Sequence, residues 1–156
     1  MPDNRIFFDT EFIDDGATID LISIALVKEN GEHLYRISAD FDETHASEWI
    51  KAHVLPHLKR EDRYARDLIA DEIQRFCGNS PEFWGYYCDY DWVAMCQLYG
   101  TMMQLPKGWP MYCHDLRQAL DARGLQKIKQ ADNAPHIALS DALWIFNQWH
   151  ANCKDA

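Results

Sequence analysis

Two carboxylates set two residues apart inside an otherwise apolar segment constrain this chain more than any other feature. Arg5-Ile-Phe-Phe-Asp-Thr-Glu-Phe-Ile13 is short, aromatic and β-branched, and Asp14-Asp15-Gly16 ends it with turn chemistry. Successive side chains of a strand alternate faces, so Asp9 and Glu11 point the same way. Embedded among Ile6, Phe7, Phe8, Phe12 and Ile13, two adjacent carboxylates repel each other and resist desolvation. A hard divalent cation with oxygen ligands offsets that cost. The plainer reading is a solvated strand edge carrying two surface acids.

The rest of the chain predicts a mixed α/β domain. Asp20 to Lys28 is a second strand, Glu29-Asn30-Gly31-Glu32 carries a hairpin signal, and His33 to Asp40 returns as a third strand. After this meander the apolar spacing turns helical over Thr44 to Leu58, broken at Pro56, and again over Glu61 to Cys77, stopped by Gly78. Phe83 to Cys88 has strand length, Trp92 to Met103 is helical, Met111 to Cys113 is a short fifth strand, and helices follow over Asp115 to Arg123 and Ile137 to Cys153. Three antiparallel strands followed by alternating helices and parallel strands predict a mixed sheet with helices on both faces, the construction of ribonuclease-H-like folds. At 156 residues the chain fits a single domain, with no internal repeat or linker.

Composition narrows the partners. With 15 Lys and Arg against 25 Asp and Glu, the formal net charge is −10, which argues against a duplex-coating protein held on by a broad basic surface. Lys59, Arg60, Arg63 and Arg66 form the one dense positive stretch, and the intervening Glu61, Asp62 and Asp67 make it a solvated helical face rather than a phosphate track. Five scattered cysteines without a C-x-x-C spacing read as reduced thiols of a cytoplasmic protein. No signal peptide is recognisable at the amino terminus, and no apolar run is long enough to span a bilayer.

Two further clusters bear on chemistry. Asp89-Tyr90-Asp91 follows the fourth strand at a helix start. Acids there cap amides and complement the helix dipole, a role that suits Asp89, whereas Asp91 can project from the strand's end toward a crevice. His136-Ile-Ala-Leu-Ser-Asp141 enters the last helix. Five helical residues rotate by about 500°, leaving the ends about 140° apart. His136 and Asp141 therefore reach one site only if His136 sits on the preceding loop, a break that Pro135 favours. The other histidines, His33, His45, His53, His57, His114 and His150, have no carboxylate partner at fixed spacing and read as structural or solvated.

Together, F-D-T-E-F-I, L-I-S-I, the Y-D-x-V-A-x-C-Q-L run from Tyr90 to Leu98, L-R-Q-x-L-x-x-R-G from Leu116 and H-x-A-L-x-D-A from His136 resemble the DEDDh exonucleases, and within them the ribonuclease AS family, over nearly the whole chain. That resemblance implies a poly(A)-preferring 3′-5′ exoribonuclease. Asp9 and Glu11 would form the first motif, Asp91 the second, and Asp141 with His136 the third. The acids would hold two Mg²⁺ or Mn²⁺ ions, and His136 would be the general base. Tyr86, Tyr87, Cys88 and Asp89 depart from the usual small or polar residues before the second motif, which leaves open whether Asp89 assists or replaces Asp91. The resemblance also implies single-stranded RNA 3′ ends as partners and a homodimer; Trp109, Trp144 and Trp149 are candidates either for its surface or for the core.

The residues further mark Phe12 as a base-stacking or core side chain and Thr10 as a contact to the terminal ribose. Two rival readings stand beside the exoribonuclease: a DNA or short-oligonucleotide exonuclease of the same fold, and a catalytically silent nucleic-acid-binding module. Matched A-tailed RNA and DNA substrates separate the first, and Mg²⁺ calorimetry the second.

Overall fold

Strand β1 (Arg5–Asp14) runs through the middle of a six-stranded sheet, with β2 (Ile19–Lys28) antiparallel on one side and β5 (Glu82–Gly85) parallel on the other. The computed structural model describes residues 4–126, 128–131 and 133–154. Beyond β2 lie β3 (His33–Ser38), antiparallel, and the two-residue β4 (Arg63–Tyr64), parallel to β3; beyond β5 lies β6 (His114–Asp115), also parallel. The order β4-β3-β2-β1-β5-β6 is the expected meander extended by parallel strands. The chain leaves β1 toward one edge of the sheet and returns through β5 on its other side. The gap between β1 and β5 is therefore a switch point, where sheets of this type open a crevice at their carboxyl ends.

Alternation along β1 separates two cores. Ile6 and Phe8 face a layer containing Ile69 and Ile73 of α2 (Arg66–Cys77) and Trp92 and Met95 of α3 (Asp89–Gln97). Phe7 faces the opposite layer, where Leu116 and Leu120 of α4 (Leu116–Ala122) meet Ala138, Ala142, Ile145 and Trp149 of α5 (Ala138–Asn152). A third cluster, Ile13, Ile22, Ala46 and Val54, closes the far end of the β1–β2 pair beneath α1 (Glu48–His53).

Several local expectations need correction. The helical spacing over Thr44 to Leu58 resolves into a 3₁₀ turn at Glu43–His45, the short α1 and a second 3₁₀ turn at Leu55–His57. Pro56 falls in the first turn of that last piece, where its missing N–H costs nothing. The segment from Glu61 begins as a 3₁₀ turn and β4 before α2 starts, so the basic residues do not share a helical face. Arg63 pairs with Glu43 at 3.7 Å, and Arg66 donates to Asp20, to the Leu21 carbonyl at 2.8 Å and to Ser38 Oγ at 3.0 Å. The short strand lies at His114–Asp115 rather than 111–113. Trp109 and Trp149 are core, at 8% and 5% exposure, and Trp144 is half-buried. Among the described residues no helix is long and apolar enough to cross a membrane.

Gly85 sets how closely α3 approaches the sheet. A Cβ there would lie 2.3 Å from Cys88 Cβ and 3.3 Å from the Phe8 ring. Gly85→Ala is expected to cost about 1–3 kcal/mol in urea unfolding, because backbone at the start of α3 must move to make room.

Candidate active site

Beyond Phe7 the strand β1 has no β5 partner, since the parallel pairing ends at Phe7 and Trp84. Asp9 and Glu11 lie on this unpaired stretch, on the same face as Phe7 and under the amino-terminal end of α5. Across the ladder they face Ala25 and Ser23, small residues that leave room for the carboxylates. A bulge follows Glu11 and ends the regular register. Asp141, in the first turn of α5, comes down onto the same face because Ala138, Ala142 and Ile145 seat that helix on β1 and β2. One carboxylate oxygen from each of Asp9, Glu11 and Asp141 lies within 4.8 Å of the others.

Asp91 arrives from the opposite layer. It occupies the third position of α3, is 6% exposed, and accepts a hydrogen bond from the Thr10 amide at 3.0 Å and another from the Thr10 hydroxyl. An amide left free where β5 stops is thus taken by a side chain. Thr10, expected at the ribose, has both of these donors directed at Asp91. Asp89 is exposed in the first turn of α3, and Cys88, not Asp89, is the N-cap residue. Of the two acids it is Asp91 that faces the cluster.

The turn into α3 is itself constrained. Tyr87 has a φ of +49°, a conformation that a bulky L-residue adopts only under restraint. Asp115 supplies that restraint, accepting from the Tyr87 and Cys88 amides at 3.1 Å each while capping α4 through the Arg117 amide at 2.8 Å. Asp115 has a legible signal as a cap in the sequence; its second role, across 28 residues of chain, has none.

The electrostatics match a crowded anionic site. Burial, then the charges of Asp91, Asp141 and Glu11, hold the Asp9 carboxyl well above its ordinary range. Burial and the charges of Asp141 and Asp91 push Glu11 up to about 8. Burial raises Asp91 to about 6 against the pull of its Thr10 hydrogen bonds. Asp141 is raised by burial, offset by a 3.0 Å hydrogen bond from the Gln130 amide and by His136. Among the described residues no Lys or Arg pairs with any of the four. Oxygen-only donors, close together, desolvated and with no Lys or Arg partner among the described residues, fit hard divalent cations such as Mg²⁺ or Mn²⁺.

His136 lies on the loop before α5, as the rotation argument requires, exposed and close enough to Asp141 to lower its pKa. Its ring meets Trp49 edge-on at 4.7 Å and lies 5.9 Å from His53. Both fit the helical apolar spacing over Thr44 to Leu58 and carry no catalytic signal there; α1 is brought to the site through the third core cluster. A cavity of about 360 Å³ lined by Tyr86, Gln130, His136 and Trp144 opens beside the histidine. Phe12 is half-buried, its ring 6.1 Å from that of Tyr90, which is 51% exposed.

Comparisons with known proteins agree with this geometry. The backbone is similar to that of exonuclease I, with a TM-score of 0.67 and 14% identity over 92% of this chain. Escherichia coli exonuclease I bound to a dT13 oligonucleotide gives a TM-score of 0.60. The chain spans about two fifths of exonuclease I (39%), and the likeness is one of fold. The 3′-5′ exoribonuclease Rv2179c of Mycobacterium tuberculosis H37Rv is 41% identical over 145 residues, covering 88% of this chain and 86% of that protein. Residues 4–153 match the family described as the 3′-5′ exoribonuclease Rv2179c-like domain. By that match and that relative, this chain belongs to the Rv2179c-like 3′-5′ exoribonuclease family.

Proposed function

We propose that this chain is a DEDDh exonuclease of the ribonuclease AS type, releasing 5′-mononucleotides from the 3′ ends of single-stranded RNA. The observation that carries the reading is the convergence of Asp9, Glu11 and Asp141, with Asp91 behind them, at the open end of β1. The activity named for the relative at 41% identity gives the reaction and its direction. Adenylate preference, a homodimer and a cytoplasmic setting are carried by the resemblance of the motifs, the last also by five free thiols.

Asp9, Glu11 and Asp141 would hold one cation of a Mg²⁺ or Mn²⁺ pair, and Asp9, with Asp91 directly or through water, would hold the other. When bound, the pair supplies Lewis acidity at the attacking water and charge neutralisation at the leaving oxygen. An unprotonated ring nitrogen of His136 accepts a proton from that water. The water oxygen bonds to phosphorus, the P–O3′ bond breaks, and the departing O3′ takes a proton from solvent, which leaves the shortened chain a free 3′-hydroxyl. Thr10 keeps the Asp91 carboxylate in place from both its amide and its hydroxyl. Phe12, with Tyr90 beside it, offers a ring to the terminal base.

The test is degradation of 5′-labelled RNAs ending in A, C, G or U tracts, with Mg²⁺ and with EDTA, beside a matched A-tailed DNA. Asp9→Ala is expected to abolish Mg²⁺-dependent digestion, and His136→Ala to reduce it by about 10²–10⁴-fold. Retained activity in either variant removes that residue from the mechanism. RNA bearing a 3′-phosphate is expected to resist attack, whereas cutting of circular RNA would make the protein an endonuclease.

Metal removal has a readout in stability. The folded-state pKa values of Glu11, about 8, and Asp91, about 6, lie above those of the unfolded chain, so the folded state binds more protons between them. That stabilisation is complete below the unfolded values near pH 4 and is lost as pH rises through about 6 and then about 8. The Tm of the metal-free protein is expected to fall by at least about 5 °C between pH 5.5 and pH 8.5. Saturating Mg²⁺ should flatten that slope, and a metal-free slope of zero would remove the carboxylates' mutual repulsion from the account.

A further inference from the structure

Among the described residues, the proposed base is placed by its backbone and by no hydrogen bond to its ring. Pro135 O accepts from the Ile137 amide at 2.9 Å, so a γ-turn closes around His136 and directs its side chain outward just before α5 begins. The imidazole is exposed and makes no hydrogen bond among the described residues. What bounds it is α1. The Trp49 ring sits 4.7 Å from it at 67°, and the His53 ring 5.9 Å away at 88°.

Those two rings are fixed relative to each other. Trp49 and His53 lie one helical turn apart and stack at 4.8 Å and 21°, and His53 Nδ1 donates to the Trp49 carbonyl at 2.9 Å. The helix beneath them is anchored at its start by Ser47 Oγ, which accepts from the Ile50 amide at 3.2 Å, and on its inner side by Ile50 and Val54 in the third core cluster. Trp49 itself is 50% exposed and belongs to none of the three clusters. A large indole is therefore held out at the surface, where its ring contacts are the two histidines.

We propose that Trp49 is a positioning residue for the reaction: its indole, backed by His53, is the wall that limits the rotamers of His136 and keeps that imidazole turned toward the carboxylate cluster. The proposal rests on the reading of His136 as general base. A base must lie within hydrogen-bond reach of the proton that it takes, and a side chain free to swing away spends most of its time out of reach. Removing the wall therefore acts on turnover and leaves substrate binding alone.

The experiment compares kcat and KM on A-tailed RNA with Mg²⁺ for the wild-type protein and for Trp49→Ala, Trp49→Leu, Trp49→Phe and His136→Ala, with thermal unfolding of each. Trp49→Ala and Trp49→Leu are expected to lower kcat by about 10–100-fold with KM changed by less than about twofold, and Trp49→Phe to recover most of the loss. Independently of activity, the His136 ring-proton resonances should carry an indole ring-current shift in the wild type that disappears in Trp49→Leu. A wild-type kcat in both non-aromatic variants overturns the proposal, as does a raised KM with kcat unchanged, which would make Trp49 a surface for a nucleobase. An unshifted His136 resonance in the wild type overturns it as well. Full activity of His136→Ala removes the general-base reading itself, and the resonances still report whether Trp49 holds the ring.

Discussion

Carboxylates that repel one another are held together at the open end of β1, and the rest of the structure is arranged around that repulsion. Two unit charges about 5 Å apart oppose each other by about 3 kcal/mol at an effective dielectric constant of about 20, before any cost of desolvation. No nearby Lys or Arg among the described residues relieves it. The acids stay together because each is carried by an element whose position is decided elsewhere: Asp9 and Glu11 by the central strand, Asp141 by a helix seated through Ala138, Ala142 and Ile145, and Asp91 by a helix packed on Ile6 and Phe8. Apolar packing on both faces of the sheet makes an arrangement that electrostatics alone would disperse.

The same two-residue alternation explains why four acids from three elements meet at one end of a sheet. Odd-numbered positions of β1 turn Phe7, Asp9 and Glu11 toward α5, while even-numbered positions turn Phe8 toward α3. Asp91 belongs to the α3 layer and reaches the cluster only because β5 stops at Gly85, leaving the Thr10 amide free. Gly85 and the left-handed Tyr87 form the tight turn that starts α3 so near the sheet, and Asp115 takes up the two amides that this turn exposes. The place of Asp91 is thus a consequence of where one parallel strand ends.

Much of this was legible in the sequence, and for identifiable reasons. Period-two alternation places Asp9 and Glu11 on one face, and a proline before a helical run places His136 on a loop with Asp141 in the first turn beyond it. The meander and the parallel strands follow from turn chemistry and apolar runs. Other features depend on contacts between segments far apart in the chain. Asp91 carries the local signature of a helix-start acid, and only the end of β5 turns it into a buried acceptor. Trp49 and His53 look like ordinary residues of an amphipathic stretch until Ile50 and Val54 seat α1 beside the loop that carries His136. Strands of two residues, such as β4 and β6, offer too few positions for a periodicity, so the apolar pattern points to 111–113 where the strand is His114–Asp115.

Net charge −10 and the pairing of Arg63 with Glu43 and Arg66 with Asp20 leave little positive surface along the one basic stretch. Counterion release from phosphate contacts then contributes little to affinity, since that contribution scales with the number of Lys and Arg contacts. On the proposed reading, a polyanion approaching such a surface would be favoured mainly where its phosphate meets cations held by the carboxylates. Aromatic rings add a contribution that does not depend on charge, because a nucleobase can stack on any exposed ring. Rings are grouped around the acids: Phe12 with Tyr90 on one side, and Tyr86 with Trp144 at the cavity beside His136. On the proposed reading, an acidic exoribonuclease built this way would hold the last few nucleotides of its substrate and little else, recognising an RNA by its end.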